Sequence, residues 1–268
     1  MPRRPAFVTG GSSGIGLAVA GLLADEGRDL ALFARDPVRL EDARAAILER
    51  KPDIRVEIFP VDVRERDMFC AAVARGIETL GTPEIAIASA GLATPGLFTE
   101  QPVELHEDHM AINYFGSLFF AHALTGPMRD AGGGKIAFIS SGAAFFGIYG
   151  YSAYAPSKFA VRGLAEVLHI ELKQHGIGVT LCYPPDTDTP QLAQEMHTKP
   201  AATRKITEGG GLWSAEAVAR DLLRGMNKGR FIVAPGMQMK VLHHLTSVIH
   251  PGLRAFQNRV LRKTDRSS

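Results

Sequence analysis

A doubly wound α/β fold, a mostly parallel sheet of seven strands with helices on both faces, is predicted by three features of this 268-residue chain. Short apolar runs alternate with longer helical patterns along most of its length, the first run leads directly into a glycine-rich turn, and no internal repeat or linker interrupts the rhythm. Strand then helix, repeated, implies right-handed crossovers and parallel strands, with ligands meeting at the strands' carboxyl ends.

The strands are expected at residues 6–9, 29–34, 55–60, 85–89, 134–140, 178–183 and 230–234, and the helices at 14–26, 38–50, 65–80, 103–126, 152–175 and 215–228. A chain of this length closes one core more readily than two, so a single domain over residues 1–268 is expected. Residues 187–211 break the pattern. Polar and rich in Thr, Pro and Gly, they read either as a substrate loop at the mouth of the sheet or as a plain surface excursion.

With 46% apolar and 22% charged residues, the chain is neither disordered nor collagen-like, and a formal net charge of +2 gives no reason to expect a nucleic-acid partner. Cys70 and Cys182 stand far apart without ligand spacing, which favours a reducing compartment over a disulfide framework. The first ten residues lack a signal peptide, and no apolar run reaches the ~18 residues of a bilayer span, so a cytoplasmic location is expected. No metal is expected: His106 and His109 share a helical face and His243 adjoins His244, but neither pair has a third ligand, and both read as surface or packing histidines.

Charge is uneven along the chain. From residue 237 onward Lys240, Arg254, Arg259, Arg262, Lys263 and Arg266 face the single acid Asp265. The same tail carries Val241, Leu242, Leu245, Val248 and Ile249 at near-helical spacing, then Leu253, Phe256, Val260 and Leu261 after Pro251-Gly252. Such an amphipathic basic segment fits a peripheral contact with the cytoplasmic face of a membrane; it fits equally well a stripe docked on the body of the domain, or on another subunit of a homo-oligomer.

The first strand runs into Gly10, Gly11, Ser12, Ser13, Gly14, Ile15 and Gly16, then an apolar-periodic helix. Glycines there permit a tight turn and a close backbone approach to a pyrophosphate, and the free N–H groups of the helix start face its charge. This is the Rossmann-type arrangement of a dinucleotide site. The second strand ends at Arg35, not at an acid. A guanidinium pairs with a ribose 2′-phosphate, so Arg35 favours NADP(H) over NAD(H); it also reads as a solvated residue at the next helix, where Asp36 and Arg39 can pair. Asp62 and Val63 after the third strand suit the adenine amine and its apolar face, although Asp62 equally suits a helix cap.

Tyr154 and Lys158 are four residues apart on a helix and so share a face. Reduction of a ketone leaves an alkoxide that must be protonated, and a phenol beside a cation can supply the proton. Lys158 also suits ribose hydroxyls. Ser141, at the end of the fifth strand, can donate to the substrate oxygen, and Asn113 can link Lys158 to solvent through a backbone or water contact. Phe145, Phe146, Ile148 and Tyr149 between Ser141 and Tyr154 make an apolar approach, better suited to an aliphatic or steroid-like substrate than to a sugar.

The motifs TGGSSGIG at residues 9–16, SAG at 89–91, NYFG at 113–116, SSG at 140–142, YAPSK at 154–158 and PPDTDTP at 184–190 together resemble the classical short-chain dehydrogenase/reductase family over essentially the whole chain. That resemblance implies an oxidoreductase with Asn113, Ser141, Tyr154 and Lys158 as catalytic tetrad and hydride delivered from the pro-S face of the nicotinamide. It also implies cofactor contacts from Ser89, Ala90 and Gly91 and from Pro184, Thr187 and Thr189. Two departures stand out: the family commonly has Asn in place of Ser89, and Pro-Gly in place of Pro184-Pro185. Proline has no N–H, so contacts to the nicotinamide amide would begin at Thr187. Pro156 is compatible with the Tyr154–Lys158 spacing only within the first helical turn.

Within the family, YPPDTDTP at 183–190, TKP at 198–200 and the acidic-then-glycine stretch at 207–210 resemble the branch that reduces 3-ketodihydrosphingosine to sphinganine with NADPH, in the form without transmembrane segments. The substrate implied is a long-chain amino ketone, with Asp186 or Asp188 facing its ammonium or capping the turn. Other hydrophobic ketones or alcohols, such as a hydroxysteroid, and a nucleotide-binding interaction protein without turnover are the competing readings.

Overall fold

The structure, a computed structural model, describes residues 3–208 and 211–264; Gly209 and Gly210 of the expected loop, and the end of the expected tail at 265–268, lie outside the described residues. In chain order the elements are β1 (Ala6–Thr9), α1 (Gly14–Asp25), β2 (Leu30–Ala34), α2 (Pro37–Arg50), β3 (Val56–Pro60), α3 (Arg66–Leu80) and β4 (Ile85–Ala88). There follow α4 (Val103–His109), a π-helical segment (Met110–Phe115), α5 (Gly116–Asp130), β5 (Gly134–Ile139), α6 (Tyr154–Glu171) and β6 (Ile177–Cys182). The remainder is β7 (Thr187–Asp188), α7 (Pro190–Thr198), α8 (Ala201–Thr207), β8 (Trp213–Ser214), α9 (Ala215–Asn227), β9 (Ile232–Val233) and α10 (Gly236–Thr264).

Among the described residues, seven parallel strands form one sheet in the order β3-β2-β1-β4-β5-β6-β9, and β7 pairs with β8 in a small second sheet. This is the doubly wound Rossmann-type fold. Strand side chains alternate between two cores. Phe7, Phe33, Ile136 and Phe138 face the side covered by α3, α5 and α6, whereas Val8, Leu32, Ile87 and Ala137 face α1, α2 and α9. Burial on both faces explains why these strands read as unbroken apolar runs. Each fully buried Phe or Leu contributes about 2 kcal/mol by removing its side chain from water.

The strand order reverses at β1, which lies between β2 and β4, so a crevice opens beyond the carboxyl ends of β1 and β4. The Thr9 hydroxyl joins these two ends, accepting from the Ser89 amide at 3.0 Å and the Ala90 amide at 3.1 Å.

Three segments differ from the sequence expectation. The helix expected at 103–126 is a longer run, α4 to α5, with a widened π turn at Met110–Phe115 that contains Asn113. The polar stretch after β6 is largely helical. Thr189 caps α7 by accepting from the Leu192 amide at 3.2 Å, and Pro190, with its φ already helical and no N–H to satisfy, occupies the first turn. The tail is one helix that continues through Pro251. Met239 and Leu242 on its inner side are buried, and Ile249 and Leu253 pack against the core. The buried Gln257 clamps the loop before α6, accepting from the Tyr149 amide at 2.9 Å and donating to the Gly147 carbonyl at 3.0 Å. One face of the tail therefore docks on the body of the protein. The opposite stripe, Met237, Val241, Leu245 and Val248, is exposed. No helix among the described residues is long and apolar enough to cross a membrane.

Candidate active site

One cleft of about 390 Å³ runs from the glycine-rich turn across the strand ends to the inner face of α10. At its first end the backbone is shaped for close approach. Gly10 and Gly14 have φ of +66° and +53°, a left-handed region that L side chains rarely adopt, and a Cβ on Gly16 would stand 2.3 Å from the Gly10 carbonyl oxygen. Ser13 precedes α1 without a side-chain cap, which leaves the first amides of the helix directed at the cleft. Ser12 and Ile15 line the same turn, and the Thr189 methyl lies against Gly14. These features suit a pyrophosphate, and the residues present fit a dinucleotide.

Beyond the turn, Arg35 is well exposed, with its guanidinium 4.0 Å from Asp62, and Arg39 lines the cleft beside it. Asp36 is occupied structurally: its carboxylate accepts from the Val38 and Arg39 amides at 2.9 and 3.2 Å and caps α2. Asp62 serves two ends at once. It lines the cleft, and it accepts from the Arg64 amide at 3.0 Å and from the Arg64 side chain at 2.9 Å. Burial acts to raise its carboxyl, but the Arg64 bonds and charge prevail and hold it below its ordinary value. Val63 is buried against Gly116, and Ser89, Ala90 and Gly91 form the adjoining wall.

Tyr154, Lys158 and Ser141 line the centre of the cleft, whereas Asn113 is buried and is not among its lining residues. Pro156 falls in the first turn of α6, so the helix is regular between Tyr154 and Lys158, and both side chains are buried. The Lys158 ammonium lies 5.7 Å from the Tyr154 ring centroid and donates to the Ile139 carbonyl at 3.0 Å. Burial pulls it down to about 8, with the Glu195 charge acting the other way. Burial first and the Glu195 charge second push the Tyr154 phenol above its ordinary value, while a hydrogen bond with Ser141 opposes them. The phenol is thus protonated at neutral pH.

Asn113 is tied to Leu92 and α6, with no direct bond to Lys158. Its Oδ1 accepts from the Leu92 amide at 2.7 Å, and its Nδ2 donates to the Leu92 carbonyl at 2.9 Å and to Ser157 Oγ at 2.8 Å. The π turn directs this amide inward. Asn113 Oδ1 and Lys158 Nζ nevertheless flank one point, 3.3 and 3.6 Å from where a Cβ on Gly91 would stand.

Pro184 and Thr187 line the cleft with Pro185 and Asp186. The Thr187 hydroxyl donates to the Pro185 carbonyl at 2.8 Å, and the Thr189 hydroxyl caps α7, so both are engaged locally as well. Asp186 stands 3.7 Å from the buried Lys199 ammonium, and Asp188 is exposed away from the cleft.

Several lining residues escaped the sequence reading. Gln191, Leu192 and Glu195 reach the cleft from α7, and Met239 and Leu242 reach it from α10. A Thr-Pro helix start at 189–190 was the available signal for the first group. His109, fully buried, packs edge-on to Tyr154 with ring centroids 6.3 Å apart. Its Nε2 accepts from the Thr94 amide at 3.1 Å and its Nδ1 lies 2.6 Å from the Leu105 carbonyl, an arrangement that suits the neutral ring. Burial lowers its pKa accordingly.

A family model described as short chain dehydrogenase matches residues 4–200. The chain is 36% identical over 247 residues to the 3-dehydrosphinganine reductase of Danio rerio, covering 91% of this chain and 74% of the relative. It is 35% identical over 254 residues to the 3-ketodihydrosphingosine reductase of Mus musculus, covering 94% and 76%. Among solved structures, a short-chain dehydrogenase from Sphingobium yanoikuyae in complex with NADPH superposes with a TM-score of 0.80 at 26% identity, covering 94% of this chain and 95% of that one. With the fold, the convergent side chains and these likenesses in agreement, the chain belongs to the short-chain dehydrogenase family of oxidoreductases.

Proposed function

We propose that this protein uses NADPH to reduce the keto group of a long-chain amino ketone, 3-ketodihydrosphingosine, to sphinganine. The coarser activity is NADP(H)-dependent reduction of a hydrophobic ketone. Its cofactor follows from the glycine turn, the Arg35 and Arg39 guanidiniums at the ribose end, and the NADPH held by the Sphingobium yanoikuyae relative. The single observation that carries the reading is the buried Tyr154 phenol at the meeting point of two unlike halves of one cleft. One half is built for a dinucleotide. The other is walled by Phe146, Ile148, Leu192, Met239 and Leu242, surface that matches an alkyl chain and offers sugar hydroxyls few partners. The likeness to sphingoid reductases supports that choice of substrate.

When bound, the reduced nicotinamide supplies hydride to the carbonyl carbon. Ser141 and Tyr154 hold the carbonyl oxygen by donating hydrogen bonds, which strengthen as negative charge develops there. Tyr154 then gives up its proton to that oxygen, and its raised pKa keeps the donor form populated at neutral pH. Lys158, fixed by the Ile139 carbonyl, presents a cation to the ribose and to the phenolate left behind. Asn113 holds Leu92, in the loop after β4, and Ser157 of α6, and so fixes the spacing between the Gly91 wall and α6.

The outward stripe of α10, apolar at Met237, Val241, Leu245 and Val248 and flanked by the exposed Lys240, Arg254, Arg259 and Arg262, supports peripheral contact with an anionic membrane surface. A lipid substrate would then reach the cleft, which the inner side of the same helix lines, without crossing water.

Purified protein assayed for NADPH loss against 3-ketodihydrosphingosine, a hydroxysteroid ketone and small hydrophobic ketones tests the reading. A clear preference for the sphingoid ketone is expected. Equal or better turnover of the others would replace it with a different hydrophobic ketone, and NADPH binding without turnover of any ketone would remove the enzymatic reading.

A further inference from the structure

A buried carboxylate that the reduction itself does not require stands in the substrate half of the cleft. Glu195 is 7% exposed, lines the same cleft as Tyr154, and reaches it because the Thr189-Pro190 start sets the phase of α7. Its Oε1 accepts from Gln191 Nε2 and its Oε2 from the Tyr151 hydroxyl, each at 3.2 Å. Tyr151 in turn packs edge-on to Tyr154 with ring centroids 5.4 Å apart. A carboxylate accepts about four hydrogen bonds, so these two neutral donors leave half of its capacity open.

The other charged groups around it do not neutralise it fully. Lys199, also buried, pairs with Asp186 at 3.7 Å and lies 5.6 Å from the Tyr151 ring centroid. From α6, Lys158 bonds to the Ile139 carbonyl. The neighbourhood therefore holds two carboxylates, Glu195 and Asp186, and two lysines, of which Lys199 pairs with Asp186 and Lys158 with a carbonyl, so neither makes an ion pair with Glu195. Burial raises the Glu195 carboxyl, against the pull of Gln191 and Lys199, and its charge is felt by both Tyr154 and Lys158. A buried, incompletely compensated carboxylate is costly to the fold, and an arriving cation would relieve that cost.

We propose that Glu195, held by Tyr151 and Gln191, receives the ammonium of an α-amino ketone and makes the site discriminate such substrates from neutral ketones of the same length. The inference rests on the sphingoid reading above and deepens it. In an α-amino ketone the ammonium is borne on the carbon beside the carbonyl. Once Ser141 and Tyr154 hold the oxygen, the ammonium is confined to the immediate surroundings of Tyr154. Lys158 repels it there and Glu195 attracts it. Asp188, exposed and outside the cleft, has no access, and Asp186 is already paired. Glu195 is a specificity residue in this account, with the proton still supplied by Tyr154.

The test is the ratio of kcat/KM for 3-ketodihydrosphingosine to kcat/KM for the 2-deamino ketone of the same chain length. It is measured in the full chain with NADPH, for the unsubstituted protein, Glu195→Gln and Glu195→Asp. Glu195→Gln keeps the shape and removes the charge, so the ratio should fall by ~10- to 100-fold, the size of one hydrogen bond to a charged group. Glu195→Asp keeps the charge on a shorter stem and should give an intermediate ratio; it carries the test if the glutamine variant does not fold. A merely structural role would lower both substrates together and leave the ratio unmoved, which would overturn the inference while the sphingoid reading stood. Unsubstituted protein that reduces the deamino ketone as well as the amino ketone would overturn the inference and the sphingoid reading together.

Discussion

Removing one oxygen atom, in Tyr154→Phe, separates the proton chemistry of this site from its architecture. The ring is 7% exposed and held by contacts that survive the change: Tyr151 and His109 edge-on at 5.4 and 6.3 Å, and Lys158 at 5.7 Å. What disappears is the hydroxyl and its proton. Loss of one hydroxyl's hydrogen bonding costs about 1 kcal/mol of stability, too little to unfold a folded protein. Loss of a general acid costs about 10²- to 10⁴-fold in turnover, which at 1.36 kcal/mol per decade is ~3–5 kcal/mol on the barrier. The glycine turn and Arg35 lie elsewhere in the cleft, so NADPH affinity, read by fluorescence titration, should be retained. The assay is single-turnover NADPH oxidation with saturating ketone. Turnover within an order of magnitude of the unsubstituted protein, with intact NADPH binding, would refute Tyr154 as the acid.

Three further outcomes are expected. Arg35→Glu puts a carboxylate where the guanidinium would meet a 2′-phosphate, and the kcat/KM preference for NADPH over NADH should fall by about 100-fold; unchanged discrimination would remove that role. Burial pulls Lys158 down to about 8 from an ordinary 10.5, so its ammonium is lost as pH rises through about 8, and ketone reduction should decline about tenfold per unit above it. Because the unfolded chain binds the extra proton between about 8 and 10.5, this group also adds stability as pH climbs through that window, and a reductive activity that is level up to pH 10 would contradict the assignment. Val241→Glu with Val248→Glu changes only the outward stripe of α10 and should abolish sedimentation with anionic liposomes while leaving the melting temperature within a few degrees. Truncation at residue 237 would not serve, because it strips Met239, Leu242 and Gln257 from the body of the protein, and its result would report unfolding.

Much of this protein is legible in its sequence because the signals are local. Ala6–Thr9 reads as a buried strand because nothing polar interrupts it, and Gly10, Gly14 and Gly16 announce the turn because no other residue fits there. The spacing of Tyr154 and Lys158 fixes their shared helical face wherever the helix goes, and the placing of Pro156 in its first turn left that face intact. The small elements after β6 were harder. Thr187 sits in a two-residue strand and Thr189 caps a helix, and both line the cleft, an arrangement with no local pattern to announce it.

The sequence by itself determined the strands, the dinucleotide turn and the shared helical face of Tyr154 and Lys158, since each depends on residues within one or two helical turns of each other. Only the tertiary structure decided that α10 turns one face inward to line the cleft, that the π turn at Met110–Phe115 ties Asn113 to Leu92 and Ser157, and that Glu195 lies buried near Tyr154. These relations join segments 21 to 110 residues apart. A periodic pattern tells which face of a helix is apolar, and the packing of the whole chain selects what that face covers.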